Sequence, residues 1–336
     1  IDELLIKIDG TNNKKKLGAN TLLSVSLAAA KAAANYEKLE LYKYLGGVNS
    51  YQLPIPLVNI INGGAHANNN LDIQEYMITP IGANTFKEAV RWCSEIFHNL
   101  KDILKKKSYS TSVGDEGGFA SNFKNNEEPI EFLIKAIKAS NLNPEKQVMI
   151  SLDVAATEFY KNKKYKILSE NKAFSSIAMS EYLIKLCNKF PVFSIEDGMA
   201  EDDWNGWSYL SKSLSNKALI IGDDLFVTNK KRLLRGIKQN AANSILIKLN
   251  QIGTLTETLD TINIAKRNDY KTIISHRSGE TEDNFISDLA VGTNAMFIKS
   301  GSVTRSERCS KYNRLILLEN IDKNLIYSGK ELNEKV

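Results

Sequence analysis

Apolar and polar residues follow two different periodic patterns along the chain. The stretch from Leu17 to Tyr36 is rich in Ala and Leu and contains no Pro, which predicts a largely buried helix. A second helix is predicted from Phe86 to Leu104, where apolar residues recur on one helical face. Two glycines and two prolines between residues 46 and 56 interrupt the helical pattern. Residues 1–45 are therefore expected to be helical, with a boundary near residue 50.

Beyond residue 145 the pattern changes. Short apolar runs each end in a polar residue and are followed by a helical stretch. The ends of these runs are 23 to 43 residues apart. A (β/α)8 barrel uses about 30 residues per strand and helix and carries its catalytic groups at the carboxyl ends of its strands. An open doubly wound sheet has similar units but carries a G-x-G-x-x-G turn, which the sequence lacks. We therefore predict an α/β fold with a (β/α)8 barrel, whose polar strand ends are Asp153, Glu196, Asp223, Lys248, His276 and Lys299.

Composition narrows the class of protein. Of 336 residues, 43% are hydrophobic and 8% aromatic, and the mean hydropathy is -0.28. The chain therefore has enough apolar material for a large core and is neither disordered nor fibrous. Its 44 basic and 39 acidic side chains give a net charge of +5. Because the basic residues are dispersed, the charge argues against nucleic acid as a partner.

The cysteine content and the hydropathy of the chain indicate the cellular compartment in which it is expected to function. Cys93, Cys187 and Cys309 form no C-x-x-C, so we expect neither a disulfide framework nor a thiolate metal site. No apolar run approaches 18 residues, and the first residues do not resemble a signal peptide. We expect no membrane span and a cytoplasmic location.

Three carboxylates, Asp153, Glu196 and Asp223, end three successive apolar runs. In a barrel they converge at the mouth, and ligation by oxygen alone suits a hard divalent cation such as Mg2+. A strand-end acid can also cap the next helix or pair with a lysine, but three in register favour a metal site. Asp224 follows Asp223 directly and is expected to point elsewhere and to support the ligands.

Two lysines occupy the same kind of strand-end position. Lys248 lies among Ile and Leu in SILIKLN, and lysines are rarely buried without a task. Near a divalent cation its ammonium form is disfavoured, which would lower its pKa and make the amine a usable base. Lys299, in FIKSG, is similar, and one of the two could instead bind an anion.

Further polar groups cluster in loops. Residues 275–281, SHRSGET, combine groups that bind phosphate or carboxylate, with Arg277 as a planar fork and Ser278 as a hydroxyl donor. The glycine-rich segment GDEGG at 114–118 contains an acid pair, and NGGAH at 62–66 precedes Gln74 and Glu75. Glycine lets backbone approach a ligand, although such loops are also generic turns.

Together these strings resemble the enolase family in family order over nearly the whole chain from about residue 16. The motifs that carry the resemblance are INGGAHANNNLDIQEYMI (61–78), VGDEGGFA (113–120), SLDVAATEFY (151–160), FSIEDG (193–198), IGDDLFVTN (221–229), SILIKLNQIGTLTET (244–258), ISHRSGETED (274–283) and IKSGSVTRSERCSKYNRLI (298–316).

The resemblance implies reversible dehydration of 2-phospho-D-glycerate to phosphoenolpyruvate, a step of glycolysis and gluconeogenesis. Lys248 would abstract the C2 proton, Glu116 would protonate the departing C3 hydroxyl, and Glu75 would assist Glu116 and hold that hydroxyl. Mg2+ would be held by Asp153, Glu196 and Asp223. The remaining substrate-binding residues would be His66, Gln74, His276, Arg277, Ser278 and Lys299. The resemblance also implies a homodimer and allows a secondary surface or secreted pool.

The resemblance further implies two domains. Residues 1–48 correspond to the helical part of an N-terminal α+β domain, and residues 49–336 to the catalytic barrel domain. We expect most of the N-terminal domain to be missing, together with a mobile loop whose serine helps to bind a second Mg2+, so that the chain alone binds Mg2+ but turns over poorly.

Two other functions stay open. A related enolase-superfamily dehydratase or racemase would share the fold, although GDEGG and SHRSGET argue against it. A non-catalytic binding protein, such as a surface receptor or a partner in an RNA-decay assembly, is the alternative from another class. The placement of Lys248 in an apolar strand favours the enzyme.

Overall fold

A computed structural model describes residues 1–214 and 216–333 of the chain. Its first part is helical, as the sequence predicts, and consists of α1 (Asp2–Asp9), α2 (Ala19–Tyr36) and α3 (Leu41–Gly46). Helix α2 buries Leu22, Ser26, Ala30 and Ala34, which recur every four residues and form one face of the helix.

A closed barrel of eight strands follows. The order around the barrel is β6, β7, β8, β1, β2, β3, β4 and β5, with the register Phe297↔Ile55 between β8 and β1. This confirms the predicted barrel. The strands are β1 (Ile55–Asn62), β2 (Glu75–Thr79), β3 (Met149–Asp153), β4 (Val192–Glu196), β5 (Leu219–Gly222), β6 (Ser244–Ile247), β7 (Lys271–Ser275) and β8 (Phe297–Lys299).

Strand β2 runs opposite to its neighbours, which differs from a barrel of eight parallel strands. It pairs antiparallel with β1 and with β3, with Asn62 and Asp153 both opposite Glu75. The segment between β1 and β2 contains only one short turn of 3-10 helix, Gly64–His66. Parallel neighbours need a crossover connection, usually through a helix. The chain therefore doubles back, and Glu75 at the start of β2 lies at the same end of the barrel as Asp153 at the end of β3.

Helices α4 (Phe86–Lys106) and α5 (Glu128–Ala139) connect β2 to β3 and confirm the predicted helix at 86–104. Helix α4 begins where the Thr85 hydroxyl accepts a hydrogen bond of 3.0 Å from the backbone N–H of Glu88. The glycine-rich loop between the two helices is fastened to β1, since Phe119 N–H donates to the carbonyl of Ile60 at 2.8 Å. The connection thus carries Glu116 to the barrel mouth.

The other helices surround the barrel, and small sheets lie outside it. Two short strands pair parallel, Gln52–Leu53 with Ile326–Tyr327, and three form an antiparallel sheet, Tyr160–Lys161, Lys164–Ile167 and Lys172–Phe174. None of the helices in the described residues has the length and hydrophobicity needed to cross a bilayer. The remaining helices are α6 (Ser176–Lys189), α7 (Trp204–Leu214), α8 (Lys230–Gln239), α9 (Leu249–Ile252), α10 (Leu255–Arg267), α11 (Phe285–Gly292), α12 (Ser306–Ile321) and α13 (Gly329–Asn333).

Candidate active site

Lys299 lies at the centre of the carboxylates at the barrel mouth. Its ammonium nitrogen is 3.0 Å from Asp153 Oδ2, 2.8 Å from Glu196 Oε1 and 3.2 Å from Glu75 Oε2. All four side chains are buried. Burial alone would lower the pKa of Lys299, but the surrounding carboxylates, Asp153 foremost, outweigh it and hold the pKa well above its usual value. The strand-end residues of β3, β4 and β8 thus meet, together with Glu75 of the reversed strand.

Lys248 directly follows β6 and forms an ion pair with Asp223, which directly follows β5. The Gln251 amide donates to the other Asp223 oxygen at 3.2 Å. Burial lowers the pKa of Lys248, but the charge of Asp223, the charge of Glu196 and the hydrogen bond to Asp223 together outweigh it, so the net shift is upward. The lowered pKa expected from the sequence refers to a site with a divalent cation beside Lys248, and it stays a prediction.

Glu116 and Glu75 both lie close to the same nitrogen of the His66 imidazole. His66 Nδ1 is 3.4 Å from Glu75 Oε1 and 3.6 Å from Glu116 Oε1. Burial lowers the pKa of His66, but the ion-pair contact with Glu75 and then the charge of Glu116 raise it to about 9. The structure therefore brings together the two glutamates that the sequence singled out, beside a cationic imidazole. The Asn59 amide also donates to Glu116 Oε2 at 3.1 Å.

The loop that follows β7 reaches the same place. His276 Nε2 is 3.5 Å from Glu116 Oε1, and Ser278 Oγ is 2.9 Å from His66 Nε2. Arg277 is exposed and donates to Asn250 Oδ1 at 2.5 Å. Gln74 donates to Asp153 Oδ2 at 3.3 Å.

A cavity of about 390 Å³ opens beside Lys248 and Arg277. It lies between α2 and the barrel mouth, so residues from the first part of the chain form one of its walls. Its apolar lining includes Leu23, Leu27, Leu249, Phe285 and Ile286.

Two buried charged residues at the mouth escaped the sequence analysis. Asp197 accepts the backbone N–H groups of Asp223 and Asp224 at 2.9 and 2.8 Å and thereby orients the segment after β5. Arg308 of α12 donates to the loops around Asp115 and Arg277. Both lie inside motifs quoted above, FSIEDG and IKSGSVTRSERCSKYNRLI, but neither ends an apolar run, which was the signal used to choose candidates.

The donor set at the mouth fits a divalent cation. Glu196 has a pKa raised well above its usual value, first by burial and then by the charge of Asp153, with a smaller rise from Asp223. This crowding of negative charge is relieved by a cation, and oxygen donors of this kind suit Mg2+. Within the described residues, the groups whose ligand atoms all lie within 4.8 Å of one another are His66 with Glu75 and Glu116, and Asp197 with Asp223 and Asp224. The structure does not bring Asp153, Glu196 and Asp223 together this closely as a set of three.

Comparison with protein-family models agrees with this architecture. The model described as "Enolase, N-terminal domain" matches residues 1–45. The model described as "Enolase, C-terminal TIM barrel domain" matches residues 50–336, which is most of the chain. The chain therefore belongs to the enolase family, which supports an enolase-type lyase that acts on a small molecule with a divalent metal.

Proposed function

We propose that the chain catalyses the reversible dehydration of 2-phospho-D-glycerate to phosphoenolpyruvate with Mg2+, in glycolysis and gluconeogenesis. The observation that supports the proposal is that two lysines at the mouth are each paired with buried carboxylates. Lys299 contacts Glu75, Asp153 and Glu196, and Lys248 is paired with Asp223. Removing a proton beside a carboxylate creates a dianion, so concentrated positive charge next to a base is what this reaction requires.

Lys248 is the proposed base for the C2 proton. Its amine lies at a buried strand end, where a substrate in the mouth would be within reach. The ion pair with Asp223 holds the side chain in place and stabilises its protonated form. The protonated amine is the form needed to return a proton to C2 in the direction of hydration.

Glu116 is the proposed acid for the C3 hydroxyl, with Glu75 as its assistant. Hydroxide is a poor leaving group and needs a proton from a positioned acid. Glu116 is oriented by the Asn59 amide at 3.1 Å and lies close to the imidazoles of His66 and His276. These neighbours hold the Glu116 carboxyl at the mouth.

The remaining residues are proposed to bind the two anionic groups of the substrate. Mg2+ held by Asp153, Glu196 and Asp223 would supply positive charge to the substrate carboxylate. Lys299 would add a second positive charge there. Arg277 and Ser278, with His276, would bind the phosphate, and Gln74 and His66 would complete the pocket.

Domain division and assembly belong to the same proposal. We take residues 1–48 and 49–336 as the two domains, and the resemblance supports a homodimer that acts in the cytoplasm.

The test is the ultraviolet absorbance of an enol phosphate formed from 2-phosphoglycerate. The assay is run on the protein as its organism makes it and on the 336-residue chain in parallel, with Mg2+ and then with a chelator. Lys248→Met is compared with Lys271→Met, a matched control because Lys271 is an exposed lysine at the start of β7. In the protein as its organism makes it, we expect activity that the chelator abolishes and that Lys248→Met reduces by at least a hundredfold, since removing one transition-state group costs about that much. Absence of enol phosphate from that protein with Mg2+ present, or equal activity of its two variants, would overturn the proposal.

A further inference from the structure

Arg308 makes four hydrogen bonds through its two terminal amino groups, although it is fully enclosed. One amino group donates to His276 Nδ1 at 2.6 Å and to the carbonyl of Arg277 at 2.7 Å. The other donates to the carbonyls of Asp115 at 3.0 Å and Ser278 at 2.7 Å. The guanidinium thus joins the glycine-rich loop before α5 to the loop after β7.

The bond to His276 fixes which nitrogen of the imidazole carries hydrogen. A guanidinium group can only donate hydrogen bonds. His276 Nδ1 must therefore accept, which leaves a neutral ring with its hydrogen on Nε2. That N–H lies on the side of Glu116, whose Oε1 is 3.5 Å away.

We propose that Arg308 is a positioning residue, which holds His276 as the neutral Nε2–H tautomer and keeps that N–H directed into the mouth beside Glu116. The proposal deepens the proposed function and rests on it for the identity of the group that receives this hydrogen bond. In a 2-phosphoglycerate complex that group is an anionic oxygen or the departing hydroxyl. His276 then acts only as a donor and does not exchange its proton during turnover.

The backbone around Arg308 is built to admit its side chain. A Cβ atom at Gly301 would lie 2.9 Å from Arg308 Cδ and 3.0 Å from the carbonyl of Glu116. Gly301 also has φ +75°, a conformation that side chains disfavour. The carbonyl of Gly301 is held by the Tyr312 hydroxyl at 2.8 Å. The absence of a side chain at Gly301 therefore leaves space for Arg308. Tyr312, on the same helix as Arg308, fixes the position of that glycine.

The charges around His276 agree with a neutral ring. Burial lowers the pKa of His276 first, and the charge of Arg308 lowers it next. Lys299 and Lys248 act in the same direction, whereas Glu75 opposes them, and the net pKa lies well below its usual value. Glu116 faces the ring from the glycine-rich loop.

Lys311 provides a matched control on the same helix. It is also buried, and its ammonium donates to the carbonyls of Thr281 and Glu307. It therefore supports the same loop after β7, but none of its hydrogen bonds goes to His276. Loss of Lys311 tests loop support alone, and loss of Arg308 tests loop support together with the imidazole contact.

The experiment is nitrogen NMR of selectively 15N-histidine-labelled chain, which contains three histidines. Signals are assigned with His66→Gln and His98→Gln, and recorded from pH 5.5 to 8.5. We expect His276 to show a protonated Nε2 and an unprotonated Nδ1 throughout that range. In Arg308→Met we expect tautomer exchange or titration, together with a fall in kcat of about tenfold or more because the donor is misplaced. Lys311→Met should keep the His276 signature.

The outcomes separate the two proposals. A wild-type His276 that titrates, or that carries its hydrogen on Nδ1, would overturn the role of Arg308, whether or not any variant folds. An unchanged His276 signature in Arg308→Met would overturn it as well. The expected signature in a chain that makes no enol phosphate would instead retain the imidazole assignment and overturn the proposed function.

Discussion

Lys299 places its ammonium nitrogen 2.8 Å and 2.9 Å from the two carboxylate oxygens of Glu196, and both side chains are buried. The pair joins the last residue of β8 to the last residue of β4, on opposite sides of the barrel. An ion pair across the barrel therefore stabilises the mouth, in addition to the hydrogen bonds between neighbouring strands.

The effects of removing the two partners of this pair should not be additive. Lys299→Met leaves Glu196 buried without its cation, and such an uncompensated charge costs about 3 to 5 kcal/mol of unfolding free energy. Adding Glu196→Gln to Lys299→Met removes one of the three carboxylate charges that Lys299 contacts. We expect the double variant to be more stable than the sum of the single variants indicates, by at least 1 kcal/mol. Urea unfolding measures this, and strict additivity would contradict it.

A second prediction distinguishes two ways of holding a divalent cation. If Asp153, Glu196 and Asp223 hold it, Glu196→Gln should weaken Mg2+ binding by at least about tenfold, whereas Asp224→Asn should leave it nearly unchanged. If Asp197, Asp223 and Asp224 hold it, the order reverses. Titration calorimetry with Mg2+ alone measures both variants, and a larger loss in Asp224→Asn would contradict the proposed ligand set.

The cationic His66 makes a prediction about pH. Its pKa in the folded chain is raised to about 9, from about 6.5 in an unfolded chain. The proton therefore binds the folded state more tightly. The resulting stability is complete below about pH 6.5 and is lost as the pH rises through about 9.

The measurement compares wild type with His66→Gln by urea unfolding at pH 6, 7.5 and 9.5. We expect the variant to be less stable by about 2 to 3 kcal/mol at pH 6 and the difference to shrink towards pH 9.5. His98→Gln serves as the control on a helix outside the site. A difference that stays constant with pH, or that grows as the pH rises, would show that the Glu75 and Glu116 charges do not hold a proton on His66.

Backbone contact between α3 and α11 makes the fourth prediction. A Cβ atom added at Gly46 would lie 1.7 Å from the carbonyl oxygen of Gly292. Since that atom belongs to the backbone, relief requires the helices to separate. Gly46→Ala should lower the free energy of unfolding by about 3 kcal/mol or more, among the larger effects of single substitutions. Val48→Ala, at a fully exposed position, should change it by less than about 0.5 kcal/mol. Equal melting temperatures would refute the contact.

Strand ends could be predicted from the sequence, but the direction of every strand could not. Asp153, Glu196 and Lys299 end apolar runs, and a barrel brings such ends together. Glu75 instead starts a strand, and no pattern of apolar residues reveals that β2 is reversed. Its place beside Asp153 follows from the antiparallel register.

The interactions among the charged side chains inside the site could not be predicted from the sequence either. The pattern identified Lys248 as an amine in an apolar strand end, which is half-buried in the structure, but could not show that Asp223 would pair with it and would raise its pKa. Arg308 occurs in a helix with many polar residues. The sequence of that helix does not distinguish a buried arginine from an exposed one. Only the packing of α12 against two loops reveals that it is buried and points inward.

The pairing of β8 with β1 has a consequence for synthesis of the protein. Ile55 and its partner Phe297 are separated by most of the chain. During translation, β1 can pair at once with the nearby β2, but its other edge has no partner until β8 has emerged from the ribosome. A long apolar strand with a free edge is prone to pair with other chains. We therefore expect the nascent protein to be exposed to aggregation through β1 over the whole interval in which the rest of the barrel is being made.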